Sequence, residues 1–200
     1  MTIKVGINGF GRIGRNVLRA ILESGRTDIA VIEINDLGPV ETNAHLLKYD
    51  SIHGRFPGKV EVSNGKIDTS LGSINVSSER DPANLQWKDV DIALECTGIF
   101  TDKEKASLHL KNGSKRVLVS APSNGADKTI VYGVNHKSLT SDHIIVSNAS
   151  CTTNCLAPIA KVLDDNFGIK SGLMTTVHAY TNDQALAETT HSDFRRGRSA

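Results

Sequence analysis

The sequence predicts an α/β fold: a doubly wound, mainly parallel sheet, followed by the first part of an α+β domain. Three observations carry this. Short apolar, β-branched runs alternate with segments of helical period as far as residue 147. A glycine-rich turn, Gly9-Phe10-Gly11-Arg12-Ile13-Gly14, links the first run to the first helical segment. The 200 residues are 38% apolar and 22% charged with a net charge of +1. That is enough apolar material for a core, with no bias of sign.

Lys4 to Ile7 is short and apolar and stops at Asn8-Gly9, as a first strand would. Ile13, Val17, Leu18, Ile21 and Leu22 then share one helix face, and Gly25 ends the helix. Ile29 to Ile34 is a second strand, closed by Asn35-Asp36, and Thr42 to Tyr49 has helical character. Over residues 57–80, Pro57-Gly58, Asn64-Gly65 and Gly72 punctuate short alternating runs, which predicts small antiparallel hairpins. Asp91 to Glu95, Arg116 to Ser120 and Ile144 to Ser147 return to the buried-strand pattern. Between the first two of these, Thr101-x-x-Glu104 forms a capping box and predicts a helix that Gly113 ends. Near residue 150 the pattern changes. Cys155, Leu156, Ile159, Ala160, Leu163 and Phe167 predict a longer, buried helix, and Leu173 to Tyr180 a further strand. The division expected is a dinucleotide-binding domain over 1–149 and the beginning of a second domain over 150–200.

Several functions are excluded at this level. Balanced charge argues against a polybasic nucleic-acid binder, and 4% aromatic residues against a base-stacking platform. No run approaches the roughly 18 apolar residues of a membrane span. The N-terminus reads as a strand, not a signal peptide. Three cysteines, an odd number, point to a reducing compartment, hence the cytoplasm.

The glycine turn fits G-x-G-x-x-G in the context the chemistry needs: after a strand, opening a helix, with Asp36 closing the next strand 22 residues beyond Gly14. Gly9 permits the tight turn, Gly11 lets the backbone approach a pyrophosphate, and Gly14 lets helix and strand pack closely. The helix N-terminus offers free N–H groups to the phosphates. Asp36 suits a ribose 2′-hydroxyl and repels a 2′-phosphate, which favours NAD over NADP. This is the pattern of a Rossmann-type dinucleotide fold; the plainer alternative is a structural glycine turn.

Ser150-Cys151-Thr152-Thr153-Asn154-Cys155 opens the longer helix. A thiol there is acidified by the helix N-terminus, whose N–H groups also suit an oxyanion. His178, 27 residues later, would complete an activated nucleophile. Core filling is the alternative for a cysteine in an apolar stretch, and it is the expectation for Cys96 and for Cys155, which should face the core. Cys151 and Cys155 at i, i+4 are poor zinc spacing, so no metal is expected. Arg195-Arg196-Gly197-Arg198 is either a solvated face or an anion site.

These residues together resemble a family. Gly6 to Arg15, Ala44 to Ser51, Glu95-Cys96-Thr97-Gly98, Ala149 to Cys155 and Tyr180-Thr181-Asn182-Asp183-Gln184 are similar, in order and spacing, to the signatures of phosphorylating glyceraldehyde-3-phosphate dehydrogenases. The resemblance implies that Cys151 attacks a phosphorylated aldehyde, that His178 is the general base, and that NAD takes the hydride. Inorganic phosphate would release 1,3-bisphosphoglycerate, in glycolysis or gluconeogenesis. It implies Gly9, Gly11, Arg12, Ile13, Gly14, Asp36, Arg80, Thr97 and Ser120 for the cofactor, and Ser150, Thr152, Thr181, Arg195 and Arg196 for the phosphate groups. It also implies a homotetramer and a longer chain, so the 200 residues alone are expected not to turn over. Thr189-Thr190 stands where NAD-specific members commonly carry Leu-Pro, which leaves NADP open. Glu33 stands inside a strand where small residues are common, and needs a partner or an edge position. Erythrose-4-phosphate dehydrogenase and a non-catalytic NAD-binding fragment are the competing readings.

Overall fold

The computed structural model describes residues 2–181 and 183–198. It divides into two compact units, residues 1–162 and 163–200. The first unit begins with strand β1 (Ile3–Asn8), helix α1 (Arg12–Glu23), β2 (Ile29–Asn35) and α2 (Val40–Lys48). Two short strands follow, β3 (Tyr49–Asp50) and β4 (Gly54–Arg55), then β5 (Val60–Ser63), β6 (Lys66–Thr69) and β7 (Gly72–Ser77). Next come β8 (Ile92–Glu95), α3 (Lys103–Ala106), α4 (Leu108–Lys111), β9 (Arg116–Val119), β10 (Lys128–Thr129), β11 (Ile145–Ser147) and α5 (Cys151–Phe167).

Nine strands form one sheet in the order β10-β11-β9-β8-β1-β2-β7-β6-β5. Every pairing from β10 through to β7 is parallel, and β7-β6 and β6-β5 are antiparallel. The predicted hairpins are therefore the antiparallel extension of a parallel sheet. Asn64 and Gly65, both at positive φ, make the tight turn between β5 and β6. The chain leaves β1 to one side for β2 and returns to its other side for β8. This reversal opens a crevice at the carboxyl ends of the strands.

The period-2 logic of a strand is explicit in β1. Val5 and Ile7 join a core cluster with Leu18 and Leu22 of α1, Ile34 of β2 and Leu47 of α2. Gly6 faces the opposite way: a Cβ there would lie 2.5 Å from the Trp87 ring, which anchors a second cluster with Leu85, Val90 and Ala93. A third cluster joins Ala106 of α3 to Val117, Val119 and Ile145. Glu33, the carboxylate inside β2, has its partner: it accepts from Asn75 Nδ2 at 2.8 Å, directly across the β2–β7 ladder.

Three expectations are corrected. The helix expected to be capped at Thr101 starts one residue later: Asp102 caps α3, accepting from the Lys105 amide at 2.9 Å. A carboxylate is the stronger acceptor and already carries charge suited to a helix N-terminus. Helix α5 forms as its periodicity predicts, yet none of its residues is buried, and Cys155 is exposed instead of facing a core. Residues 173–180 are irregular and exposed, not a strand. A strand exists only through its ladder, and no described segment pairs with this one. The second unit holds the end of α5 and a loop closed by hydrogen bonds from the Ala185 amide to Arg196 O and from the Thr189 amide to Gly197 O, both 3.1 Å.

Candidate active site

The site grows out of the turn after β1. Gly9 has φ +89°, and a Cβ there would lie 2.7 Å from the Thr97 amide nitrogen, so glycine is required both by conformation and by contact. A Cβ on Gly14 would lie 2.2 Å from Gly9 O, so α1 packs directly on the turn. Gly11 is different. It is the N-cap of α1, no side chain caps the helix, and a Cβ there would meet nothing within 4 Å. The first N–H groups of a 12-residue helix thus face open space, the arrangement that accepts a phosphate.

Asp36 leaves β2 beside this turn. Its carboxylate accepts from the Phe10 amide and from the Gly38 amide, each at 2.8 Å. One side chain therefore ties the glycine turn to the end of β2 and presents an acid at the cavity edge. The cavity, about 390 Å³, gathers Gly9, Gly11, Asp36, Arg80 and Thr97, with Leu37, Ile99 and Phe100 as its apolar part. An uncapped helix start, an acid at the next strand end and apolar walls together fit a dinucleotide.

A second cavity of about 410 Å³ lies at the start of α5 in the same unit. It gathers Ile13, Ser120, Ser150 and Cys151, with Cys96, Asn148 and Asn154. Cys96 lines both cavities. Burial pushes its thiol up to about 11, so it is a neutral wall, not a nucleophile. The turn that delivers Cys151 is built at Ala149, a non-glycine residue at φ +58° that is itself buried. Ser147 Oγ accepts from the Ala149 amide at 3.1 Å, and Asn154 Nδ2 donates to Asn148 O at 2.7 Å, closing the turn on the helix. Ser150 Oγ accepts from the Thr153 amide at 3.0 Å and caps α5. Cys151 is exposed. Strained backbone held by such ties is the usual mark of a functional turn.

Arg12 lines neither cavity. Its Nη1 donates to Asp50 Oδ2 at 2.9 Å, and that carboxyl also accepts from the Ile52 and His53 amides, each at 2.8 Å. The His53 and Ile52 amides, with the Arg12 guanidinium, hold Asp50 well below the usual carboxylate range. Thr152 is half-buried in α5. His178, Thr181, Arg195 and Arg196 belong to the second unit and are exposed. His178 Nδ1 lies at hydrogen-bond distance from Ala179 O, Arg195 pairs with Asp193 at 3.6 Å, and Arg196 pairs with Asp183. Asn182 lies outside the described residues.

Sequence reasoning missed a buried polar chain behind the first cavity. Asn8, Asn35 and Glu95 are each the last residue of a parallel strand, and all three are buried. A polar residue closing an apolar strand was the available signal.

With this geometry in place, the comparison with known families decides the matter. Residues 3–103 match the family described as glyceraldehyde 3-phosphate dehydrogenase, NAD binding domain, and residues 150–200 match that family's C-terminal domain. The chain belongs to the glyceraldehyde 3-phosphate dehydrogenase family. It therefore carries this family's NAD binding domain on the sheet that bears the glycine turn. The chain is 66% identical to glyceraldehyde-3-phosphate dehydrogenases of Xanthobacter flavus and Cereibacter sphaeroides, covering all of this chain and 60% of each relative. It is 57% identical to the chromosomal glyceraldehyde-3-phosphate dehydrogenase of Cupriavidus necator, over 61% of that protein. The chain thus spans about three-fifths of the length of these relatives. Among its described residues no helix is long and apolar enough to cross a membrane.

Proposed function

We propose that the whole protein oxidises glyceraldehyde 3-phosphate, with inorganic phosphate, to 1,3-bisphosphoglycerate. The observation that carries this reading is the placement of Cys151 at the start of α5, on a cavity whose Cys96 wall is shared with the dinucleotide cavity. The α1 N-terminus and Asp36, with Arg80 and Thr97 beside them, would hold NAD, which would supply the hydride acceptor. Arg12 stands at the first turn of α1, where Asp50 pairs with its guanidinium and fixes its direction.

Cys151 forms the bond to the aldehyde carbon as its thiolate, favoured by the helix N-terminus. The aldehyde oxygen takes up the negative charge beside the first N–H groups of α5. His178 takes the proton of the Cys151 thiol, delivers it to that oxygen to give the thiohemiacetal hydroxyl, and removes it again as the hydride leaves the carbon, so that a thioester on Cys151 remains. Phosphate oxygen then attacks the thioester carbon, and the thiolate departs. Ser150, Thr152, Thr181, Arg195 and Arg196 are the groups suited to the two phosphates. The boundary of the two domains at 149/150 is supported by the start of the C-terminal family match at residue 150. A homotetramer in the cytoplasm completes the reading, supported by family membership and by the odd number of cysteines.

The test is NADH formation at 340 nm by the intact protein with glyceraldehyde 3-phosphate, phosphate and either NAD or NADP. Cys151→Ser should abolish turnover while leaving NAD affinity within about twofold. Turnover surviving in that variant refutes the thioester route. Comparable rates on erythrose 4-phosphate would move the assignment to the related dehydrogenase.

A further inference from the structure

The buried chain behind the cofactor cavity has one charged member. Glu95, the last residue of β8, has no exposed side-chain surface, and neither has His109 of α4. All four acceptor directions of the carboxylate are taken. Oε1 accepts from the Thr97 amide at 2.8 Å and from the Thr97 hydroxyl. Oε2 accepts from Asn8 Nδ2 at 2.7 Å and faces His109 Nε2 at 2.9 Å. Trp87 settles the imidazole. Its indole N–H can only donate, and it lies 2.8 Å from His109 Nδ1, so Nδ1 is the acceptor and Nε2 carries the hydrogen that Glu95 receives.

The chain continues beyond Asn8. Asn35 Nδ2 donates to Asn8 Oδ1 at 2.8 Å, and Asn35 Oδ1 accepts from the Glu79 amide at 2.8 Å and the Ser77 hydroxyl at 2.9 Å. One carboxylate is thus the hub joining the ends of β8, β1 and β2, and through them the segment carrying Glu79 and Arg80. Asn8, Asn35, Glu79, Arg80 and Thr97 are all cavity-lining residues, and Gly9 rests against the Thr97 backbone.

We propose that Glu95 is a positioning residue for the cofactor: it never touches NAD, but it holds Thr97 and the three strand ends at the spacing that the dinucleotide needs. This rests on the reading of the first cavity as the NAD site. The required chemistry is that of an acceptor on all sides. Glu95→Gln keeps the shape yet must aim an NH₂ either at Asn8 and His109 or at Thr97, all of which already donate. His109 cannot relieve the conflict, because Trp87 holds its other nitrogen as the acceptor.

The experiment is a double-variant cycle on the intact protein, reading the NAD dissociation constant by calorimetry and the urea midpoint in parallel. Glu95→Gln should weaken NAD binding about tenfold or more, the cost of a buried donor without an acceptor. Combined with Thr97→Val it should weaken binding by less than the product of the two single effects, because the two side chains share the bond from the Thr97 hydroxyl to Oε1. Effects that multiply, or a lowered urea midpoint with unchanged NAD affinity, overturn the proposal and leave Glu95 a plain fold residue. Should Glu95→Gln not fold, Thr97 tests the same link with the carboxylate intact: Thr97→Val should weaken NAD binding about fivefold and Thr97→Ser less than twofold. Equal affinities of those two variants overturn it. Failure of the wild-type protein to bind NAD is a different result: it removes the cofactor reading, and the proposal with it.

Discussion

Asp36 shows at the scale of one residue how a proposed binding group is also a structural one. Its two oxygens hold the Phe10 and Gly38 amides, so its orientation is set before any ligand arrives. On the proposed reading a ribose hydroxyl would meet an acceptor already in place, whereas a 2′-phosphate would meet a fixed negative charge. Asp36→Asn keeps the shape, removes the charge and leaves one of the two amides facing an NH₂. NAD affinity should fall about tenfold, and the preference for NAD over NADP should narrow. Parallel calorimetric titrations with the two cofactors read both effects, and an unchanged ratio would show that selectivity resides elsewhere.

At the scale of elements, the short pieces beyond β8 are held by side chains because they lack length. Strand β10 has two residues and β11 three. Asp127 secures both: it accepts from the Ile144 and Ile145 amides at 2.9 and 2.8 Å and pairs with Lys103 of α3. The Ile145 amide first, then Lys103, bring its carboxyl down to about 2 from a usual 3.8. A carboxyl depressed in the folded state stabilises the fold above its unfolded value and loses that contribution as the pH falls through the folded one. The window is therefore about pH 4 down to pH 2. Asp127→Asn should lower the unfolding midpoint at pH 7, and the difference from wild type should shrink across that window. A pH-independent difference would locate the loss in packing and not in charge.

At the largest scale, that of the 200-residue chain, the sheet carries a core while α5 leaves its apolar stripe exposed. Leu156, Ile159 and Phe167 are 41%, 55% and 82% exposed. A stripe of that kind binds apolar dyes and invites association. The 200-residue chain should enhance 8-anilinonaphthalene-sulfonate fluorescence. Leu156→Gln with Ile159→Gln should remove much of the enhancement while moving the unfolding midpoint little, since both residues are already in water. A large loss of stability would show instead that these side chains are buried in solution.

By itself the sequence determined the parts governed by local chemistry and short-range periodicity. The glycine turn was legible because φ and close approach admit no other residue at Gly9. The strands and helices were legible because their apolar residues repeat at two or 3.6, and the cysteine at the head of α5 because its signature is contiguous. Only the tertiary structure decided what depends on partners distant along the chain. Asn75 answers Glu33 from another strand, 42 residues away. Asp50 takes the Arg12 guanidinium from 38 residues away. Glu95 gathers Asn8 from 87 residues away and His109 from 14. The same dependence bears on the segment over 173–180, which reads as a strand but which no described segment pairs with. A pattern states which face of an element seeks burial; only the packed fold states what meets it.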